Sequence, residues 1–275
     1  MLVVLTTALV IACSPLLSSA SDPLQLEWRD EMLSIHHARL PGGEVQVWYI
    51  EAFCRAGSTD RDWRETVIRH RTELIDRSDD GTRIELRSDL TDGVIVNHII
   101  TCTDDDVTFR LRAHNPTDRS SEVHWGQPCL RVDKFTGREQ ADYLPQAFIF
   151  VDDKLQRLPV EPWATEARYT PGQVWCPRHV DRDDVNPRPL SEIVPSNGLI
   201  GCFSRDGSQI LAMACEPYQE LFQGVIVCLH ADFRIGGLEP AETRHVRGKI
   251  YLRPDNDVEA LLHRYERDFP EHHSP

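Results

Sequence analysis

The stretch GVIVNHIITCTDDDVTFRLRAHN, residues 93–115, alternates apolar and polar side chains on both sides of an acidic turn. Such alternation predicts half-buried β-strands, and two runs joined by a short turn predict an antiparallel hairpin. The same pattern occurs in VQVWYIEAF from Val45 and in TRIELRSDL from Thr82. Asp-Gly pairs separate several of these runs, and they favour tight turns because glycine tolerates positive φ. The chain is therefore predicted to be all-β and antiparallel.

The end of the chain follows a different period. Apolar residues recur there at helical spacing after Asp257, which can cap a first turn, and Pro270 can end the helix. These apolar residues are Val258, Leu261, Leu262, Tyr265 and Phe269. The sequence thus predicts a short C-terminal helix.

Composition excludes some classes of function. The 275 residues carry a formal net charge of −14, which makes the chain a poor binder of phosphate backbones, so no nucleic-acid partner is expected. Hydrophobic residues make up 40% and charged residues 27% of the chain. These proportions are typical of a folded soluble protein rather than of a disordered one.

The first 20 residues, MLVVLTTALVIACSPLLSSA, are apolar, uncharged and interrupted by a proline. This pattern favours a signal peptide over a membrane span and predicts a periplasmic or secreted protein. The string before Cys13 also fits a lipoprotein signal, so a lipid on Cys13 is the one membrane attachment expected. Residues 21–275 are predicted to form a single domain.

Residues 156–197 interrupt the strand pattern with many prolines and charges. A loop of this length inside a compact domain is usually functional or disordered, and its tryptophans argue for order. We interpret it as an ordered loop over a binding face. The alternative is a connection between sheets that its aromatic residues pack down.

Seven cysteines remain once Cys13 is set aside with the signal. There is no Cys-x-x-Cys pair, which excludes a zinc ribbon or a thioredoxin-type motif. Most lie in apolar runs and are expected to behave as small buried hydrophobic residues. In an oxidising compartment the alternative is that some of them form one or two disulfides.

Two segments resemble strands of the galactose mutarotase, or aldose 1-epimerase, superfamily. They are VTFRLRAHNPTDRSSEVHWGQPCLRV, residues 107–132, and QGVIVCLHADFRIGGLEPAETRHVRGKIYL, residues 223–252. In that family the first segment carries a catalytic histidine, and an apolar strand like that of the second ends in the catalytic glutamate. The resemblance implies an antiparallel β-supersandwich that presents a sugar site on its concave sheet.

This chain departs from the family at both catalytic positions. The histidine position falls at Gln127 and the glutamate position at His230, so the resemblance implies a divergent member of the superfamily without the usual pair. Gln127 cannot titrate, whereas His230 could act as acid or base. The resemblance therefore implies a sugar-binding scaffold more directly than it implies epimerase activity.

The residues themselves suggest a polar cluster. His230, Asp232 and Arg234 share one face of a strand, where they could grip and deprotonate a polyol, or simply form a solvated outer face. His124 and Gln127 would face opposite sides unless a bulge intervenes. The predicted catalytic residues are His230, His124 and Glu216. The predicted substrate-binding residues are Gln127, Arg131, Trp163, Trp175, His179, Asp232 and Arg234.

The expected partner is a carbohydrate, and no cofactor is required. A divalent metal held by His124, His179, His230 and Glu216 is a variant of this hypothesis. The predicted function is an exported carbohydrate-active protein that binds a sugar and uses histidine-assisted proton transfer for epimerase, lyase or hydrolase chemistry. The alternative is a non-catalytic carbohydrate-binding or cell-envelope protein.

Overall fold

A computed structural model describes residues 23–163, 172–186 and 189–273. The predicted signal, residues 1–20, lies outside the described residues. Within the described part, no helix is long and apolar enough to cross a membrane.

Strands dominate the described residues. In chain order they are β1 (Gln25–Arg29), β2 (Met32–His36), β3 (Glu44–Arg55), β4 (Val67–Ile68), β5 (His70–Arg77), β6 (Arg83–Leu90), β7 (Ile95–Cys102), β8 (Asp106–His114), β9 (Val123–Arg131), β10 (Ala147–Val151), β11 (Lys154–Arg157), β12 (Val174–Trp175), β13 (Leu199–Phe203), β14 (Ile210–Glu216), β15 (Tyr218–Gln223), β16 (Cys228–Arg234) and β17 (Thr243–Arg253). The helices are α1 (Trp63–Thr66), α2 (Asp133–Thr136) and α3 (Val258–Asp268), with 3₁₀ turns at Leu144–Gln146 and Pro270–His273.

The strands form two sheets. The front sheet has the order β1-β2-β3-β9-β16-β15-β12, with β4 paired to β3, and the back sheet has the order β11-β10-β13-β14-β17-β8-β7-β6-β5. Neighbouring strands pair antiparallel, as β7 and β8 do along their whole length. The prediction of an all-β, antiparallel two-sheet fold is confirmed.

One large apolar core lies between the two sheets. Val47, Leu130 and Leu229 lie side by side in the registers of β3, β9 and β16 and are fully buried there. Ile250 and Phe109 contribute to the same cluster from the back sheet. Because side chains alternate along a strand, the residues between these core positions face outward from the front sheet.

The predicted C-terminal helix is present as α3 and lies on the outer face of the back sheet. Asp257 caps α3 by accepting a hydrogen bond from the backbone N–H of Ala260 at 2.9 Å. Leu261, Tyr265 and Phe269 pack against back-sheet side chains in a second apolar cluster. The helix thus covers the outer face of the back sheet at β10, β13, β14 and β17, whereas the outer face of the front sheet lies outside this packing.

The cysteines behave as expected. All seven cysteines in the described part are free thiols, and six of them are buried. They sit inside strands or next to them, where a thiol packs as a small apolar group.

Burial of His98 in the core predicts an acid-sensitive fold. Its Nδ1 lies 2.9 Å from the hydroxyl of Tyr49 and its Nε2 lies 3.0 Å from that of Ser88. Burial, helped by the charge of His70, lowers the pKa of His98 to about 3. A histidine in the unfolded chain has a pKa near 6.5. Between pH 6.5 and pH 3 the unfolded chain therefore binds a proton at His98 that the folded chain does not bind. The stabilisation is complete above about pH 6.5 and is lost as the pH falls towards 3.

We expect the free energy of unfolding to fall by about 1.4 kcal/mol per pH unit below pH 6.5 through this one group. Denaturant unfolding at pH 6.5 and pH 5 measures the slope. The variant His98→Gln should lose about 2 kcal/mol less over that range than the unmodified chain. His245→Gln, an exposed histidine, is the control and should keep the original slope. Parallel curves for the unmodified chain and His98→Gln would contradict the prediction.

Candidate functional site

A cavity of about 160 Å³ opens on the outer face of the front sheet. Strands β3, β9, β15 and β16, the turn between β15 and β16, and the loop after β12 all contribute to it. The lining residues are Glu51, Trp63, Gln127, Cys129, Asn186, Phe222, Gly224, Val225, Ile226, Cys228 and His230. The cavity is small beside the ~300–1,000 Å³ of pockets for drug-sized ligands, so it suits a single small ring.

Strand register explains why these side chains meet. Strands β9 and β16 pair through Leu130 and Leu229, which both face the core. Alternation then turns Cys129, Cys228 and His230 to the outer face. The pairing of β3 with β9 shifts between Trp48 and Ala52, and Glu51 in this irregular stretch reaches the cavity.

His230 is held by groups on both sides of its ring. The ring stacks on Phe222 with centroids 4.2 Å apart and planes within 5°. Its Nε2 lies 3.4 Å from Sγ of Cys228, and its Nδ1 lies 3.7 Å from Oδ1 of Asp232. Both ring nitrogens therefore face protein groups, and the imidazole is only 2% exposed.

The buried groups alter one another's protonation. Burial by itself lowers the pKa of His230, but the charges of Cys228 and Asp232 outweigh it and raise the pKa to about 10. Burial raises the pKa of Asp232 to about 7 against the opposing effect of His230. A hydrogen bond from Cys129, together with the charge of His230, holds the pKa of Cys228 well below its usual value.

Asp184 fastens the loop after β12 to the front sheet. Its carboxylate accepts a hydrogen bond from the backbone N–H of Gly57 at 3.1 Å and lies 3.2 Å from Nη1 of Arg234. The same carboxylate lies 3.1 Å from Nδ1 of His124. Two residues further along, the side-chain amide of Asn186 donates to Oε1 of Gln127 at 3.3 Å. The loop thereby supplies one wall of the cavity.

The described parts of residues 156–197 contain the end of β11 and the whole of β12. Strand β12 pairs with Leu221 and Phe222 of β15 and extends the front sheet. Beyond β12, Val180 and Val185 pack on Phe222. Residues 164–171 and 187–188 of this segment lie outside the described part.

The structure brings together only some of the predicted site residues. Gln127 and His230 line the same cavity, and Asp232 lies directly behind His230. His124 and Arg234 meet at Asp184, away from the lining. The register of β3 against β9 shifts at His124, which is the bulge that a shared face with Gln127 would require. Their roles in binding or catalysis stay predictions.

Other predicted residues lie elsewhere. Glu216 ends β14 in the back sheet and hydrogen-bonds to Nε2 of His272. Trp175 is fully buried and Trp163 packs beside it, with ring centroids 6.1 Å apart, because their apolar area is used in the core. His179 is exposed on the loop, and Arg131, next in register to Cys228, is not among the lining residues.

The structure does not gather the predicted metal ligands either. His124 contacts Asp184, His179 is exposed and Glu216 contacts His272, so none of the three joins His230. The cavity instead contains residues that the sequence argument missed: Glu51, Asn186, Phe222, Cys129 and Cys228. The alternation Cys228-x-His230-x-Asp232 was the available signal for Cys228, because these residues share one face of a strand.

Comparisons with known proteins find similarity only among solved structures. No family model matches the sequence, and no curated protein matches it. A galactose mutarotase-like protein from Lactobacillus casei is 8% identical with a TM-score of 0.45, over 84% of this chain and 100% of that one. A galactose mutarotase related enzyme from Lactobacillus acidophilus is 7% identical with a TM-score of 0.40, over 85% and 98%. An α-N-acetylgalactosaminidase from Bifidobacterium bifidum is 13% identical with a TM-score of 0.46, over 93% and 38%.

The matches thus include members of the superfamily that residues 107–132 and 223–252 resemble. At these identities and TM-scores nothing about ligand or activity follows from them. The chemistry of the site rests on this chain's own residues.

Proposed function

We propose that the protein binds a single sugar ring in the cavity of the front sheet. The observation that carries the proposal is that Gln127 and His230, the two positions the family resemblance marks as facing sugar, line one cavity although they lie on different strands. Asn186 and Glu51 add an amide and a carboxylate to the lining. Such convergent polar groups can fix the hydroxyls of a sugar.

Aromatic groups complete a surface suited to a sugar ring. Trp63 is partly exposed and lines the cavity beside the exposed apolar side chains of Val225 and Ile226. Aromatic rings offer apolar area to the C–H faces of a pyranose, while amides serve its hydroxyl edge.

The charge of the lining selects among sugars. Glu51 is a carboxylate, and the described lining contains no lysine or arginine. An anionic sugar would meet the like charge of Glu51, and no ammonium or guanidinium group of the described lining is there to pair with it. The expected ligand is therefore a neutral or amino sugar rather than a uronate or a sulfated one.

A series of thermal-shift measurements on the protein, stripped of metal with a chelator, tests this function. Glucose, galactose and glucosamine are the positive probes, and glucuronate is the anionic one. The variant Gln127→Leu should weaken affinity for the best neutral sugar roughly 10- to 100-fold, because it removes a buried hydrogen-bonding group that the ligand needs. Gln156→Leu, on the exposed surface, is the control and should bind as before. No shift with any neutral or amino sugar would overturn the proposal.

Turnover through His230 is the finer prediction from the sequence, and it stays a prediction. Because both ring nitrogens face protein groups, binding without turnover is the version that the geometry supports best. A polarimetric assay of anomer interconversion, with His230→Gln beside the unmodified chain, distinguishes turnover through His230 from binding without turnover.

Export is likewise proposed from residues 1–20 alone. The mass of the mature protein tests it, since cleavage before Ser21 or lipidation at Cys13 gives a distinct product. An unprocessed chain in the cytoplasm would refute it.

A further inference from the structure

Two cysteines and a histidine meet in the wall of the cavity. The sulfurs of Cys129 and Cys228 and a ring nitrogen of His230 all lie within 4.8 Å of one another, and all three residues are buried. Nε2 of His230 is 3.4 Å from Sγ of Cys228. A tetrahedral zinc ion, with bonds of about 2.3 Å to sulfur and 2.0–2.1 Å to nitrogen, keeps its ligand atoms roughly 3.5–3.8 Å apart. Small side-chain shifts would bring the three atoms to that spacing.

The far side of the histidine ring faces a carboxylate. Its Nδ1 faces Asp232, and neither this nitrogen nor the two carboxylate oxygens have a hydrogen-bond partner within the described part of the chain. Both side chains are at most 2% exposed. Histidines that bind metals usually donate their other ring N–H to a carboxylate, which fixes the tautomer and the ring orientation.

The buried charges around the cluster favour a cation. Glu220 is the register partner of Asp232 on the neighbouring strand, and both side chains are fully buried. Glu51 lies on the same side of the sheet, while Arg234 is paired with Asp184. Buried carboxylates disfavour further negative charge beside them. A divalent ion would neutralise the two thiolates that the ligand set requires, so that the cluster adds no net negative charge there.

Gly224 leaves room beside the cluster. A Cβ atom there would overlap the sulfur of Cys228 and lie 2.9 Å from Nε2 of His230. The glycine therefore keeps the cavity side of the three ligand atoms free of a side chain.

We propose that Cys129, Cys228 and His230 bind one zinc ion whose fourth coordination position faces the cavity. Asp232 acts as a positioning residue through Nδ1 of the histidine. Thiolate and imidazole ligands suit zinc, whereas magnesium and calcium require oxygen ligands. Three protein ligands with an open position are the arrangement of catalytic zinc sites. Metal binding at this site does not depend on the sugar proposed above.

The test is a metal titration of the reduced, chelator-stripped full chain without sugar. We expect one equivalent of Zn²⁺ per chain, a higher melting temperature, and thiolate-to-cobalt charge-transfer absorption when Co²⁺ replaces zinc. Mg²⁺ should have no effect. Absence of the charge-transfer band, or a Cys129–Cys228 disulfide in the native protein by mass spectrometry, would overturn the proposal.

Variants assign the ligands. Cys129→Ser and Cys228→Ser should each weaken zinc affinity roughly 100-fold or more, and Asp232→Asn roughly 10- to 100-fold with the cobalt band retained. Cys102→Ser is the matched control, because that thiol donates to the carbonyl of Leu24 outside the cluster, and it should bind zinc as before. Unchanged zinc affinity in both Cys129→Ser and Cys228→Ser would refute the site. If a variant does not fold, the cobalt spectrum of the unmodified chain remains the test of the site.

Discussion

Replacing Asp184 by alanine is expected to lower the free energy of unfolding by about 3 kcal/mol and to abolish sugar binding. The carboxylate is buried and contacts the backbone N–H of Gly57, the guanidinium of Arg234 and the imidazole of His124. Removing it takes this acceptor from the Gly57 N–H and the His124 ring and leaves Arg234, within the described part of the chain, only its hydrogen bond to Gln219, which costs more than the hydrogen bonds themselves contribute. Because Asn186 follows two residues later, the wall of the cavity loosens with the loop.

Urea unfolding measures the first effect, and the thermal shift with the best neutral sugar measures the second. Asp183→Ala is the matched control, because Asp183 is the exposed neighbour in the same turn. It should change stability by no more than about 0.5 kcal/mol. A loss below about 1 kcal/mol for Asp184→Ala would mean that other contacts hold the loop.

The variant Phe222→Ala should cost about 3–5 kcal/mol of stability. The ring is 2% exposed, stacks on His230 and packs against Val180 and Val185 of the loop. Alanine would leave a cavity beneath the loop and free the imidazole to turn away from Cys228. We therefore expect weaker binding of both sugar and zinc, together with the loss of stability.

Denaturant unfolding of Phe222→Ala beside Val225→Ala checks this expectation. Val225 is 45% exposed on the neighbouring turn, so its truncation should change stability by no more than about 0.5 kcal/mol. Equal effects of the two variants would show that the Phe222 ring does not hold the loop and the histidine in place.

Local periodicity predicted most of the fold. Alternation in residues 93–115 gave the β7–β8 hairpin, and the helical spacing after Asp257 gave α3 with its cap. These patterns are local, because each strand or helix must bury one face whichever partner it meets. The family resemblance also pointed to Gln127 and His230, which the structure places in one cavity.

The remaining residues of the cavity could not be predicted from local periodicity or from the family resemblance. Glu51 reaches the cavity through a register shift in β3, and Asn186 arrives on a loop anchored by Asp184. Trp175, predicted to bind sugar, is fully buried in the core and Trp163 packs against that core, since nothing in a sequence tells which apolar side chain faces a ligand.

The sequence by itself determined the strand and helix periods, the buried character of the cysteines and the one-face alternation of Cys228, His230 and Asp232. Only the tertiary structure decided that Cys129 lies beside Cys228, because that contact comes from the register between β9 and β16. A side-chain period records which face of a strand is buried, whereas the choice of neighbour depends on how distant strands pair. Which residues meet in a site that spans several strands is therefore determined by how those strands pair in the sheet.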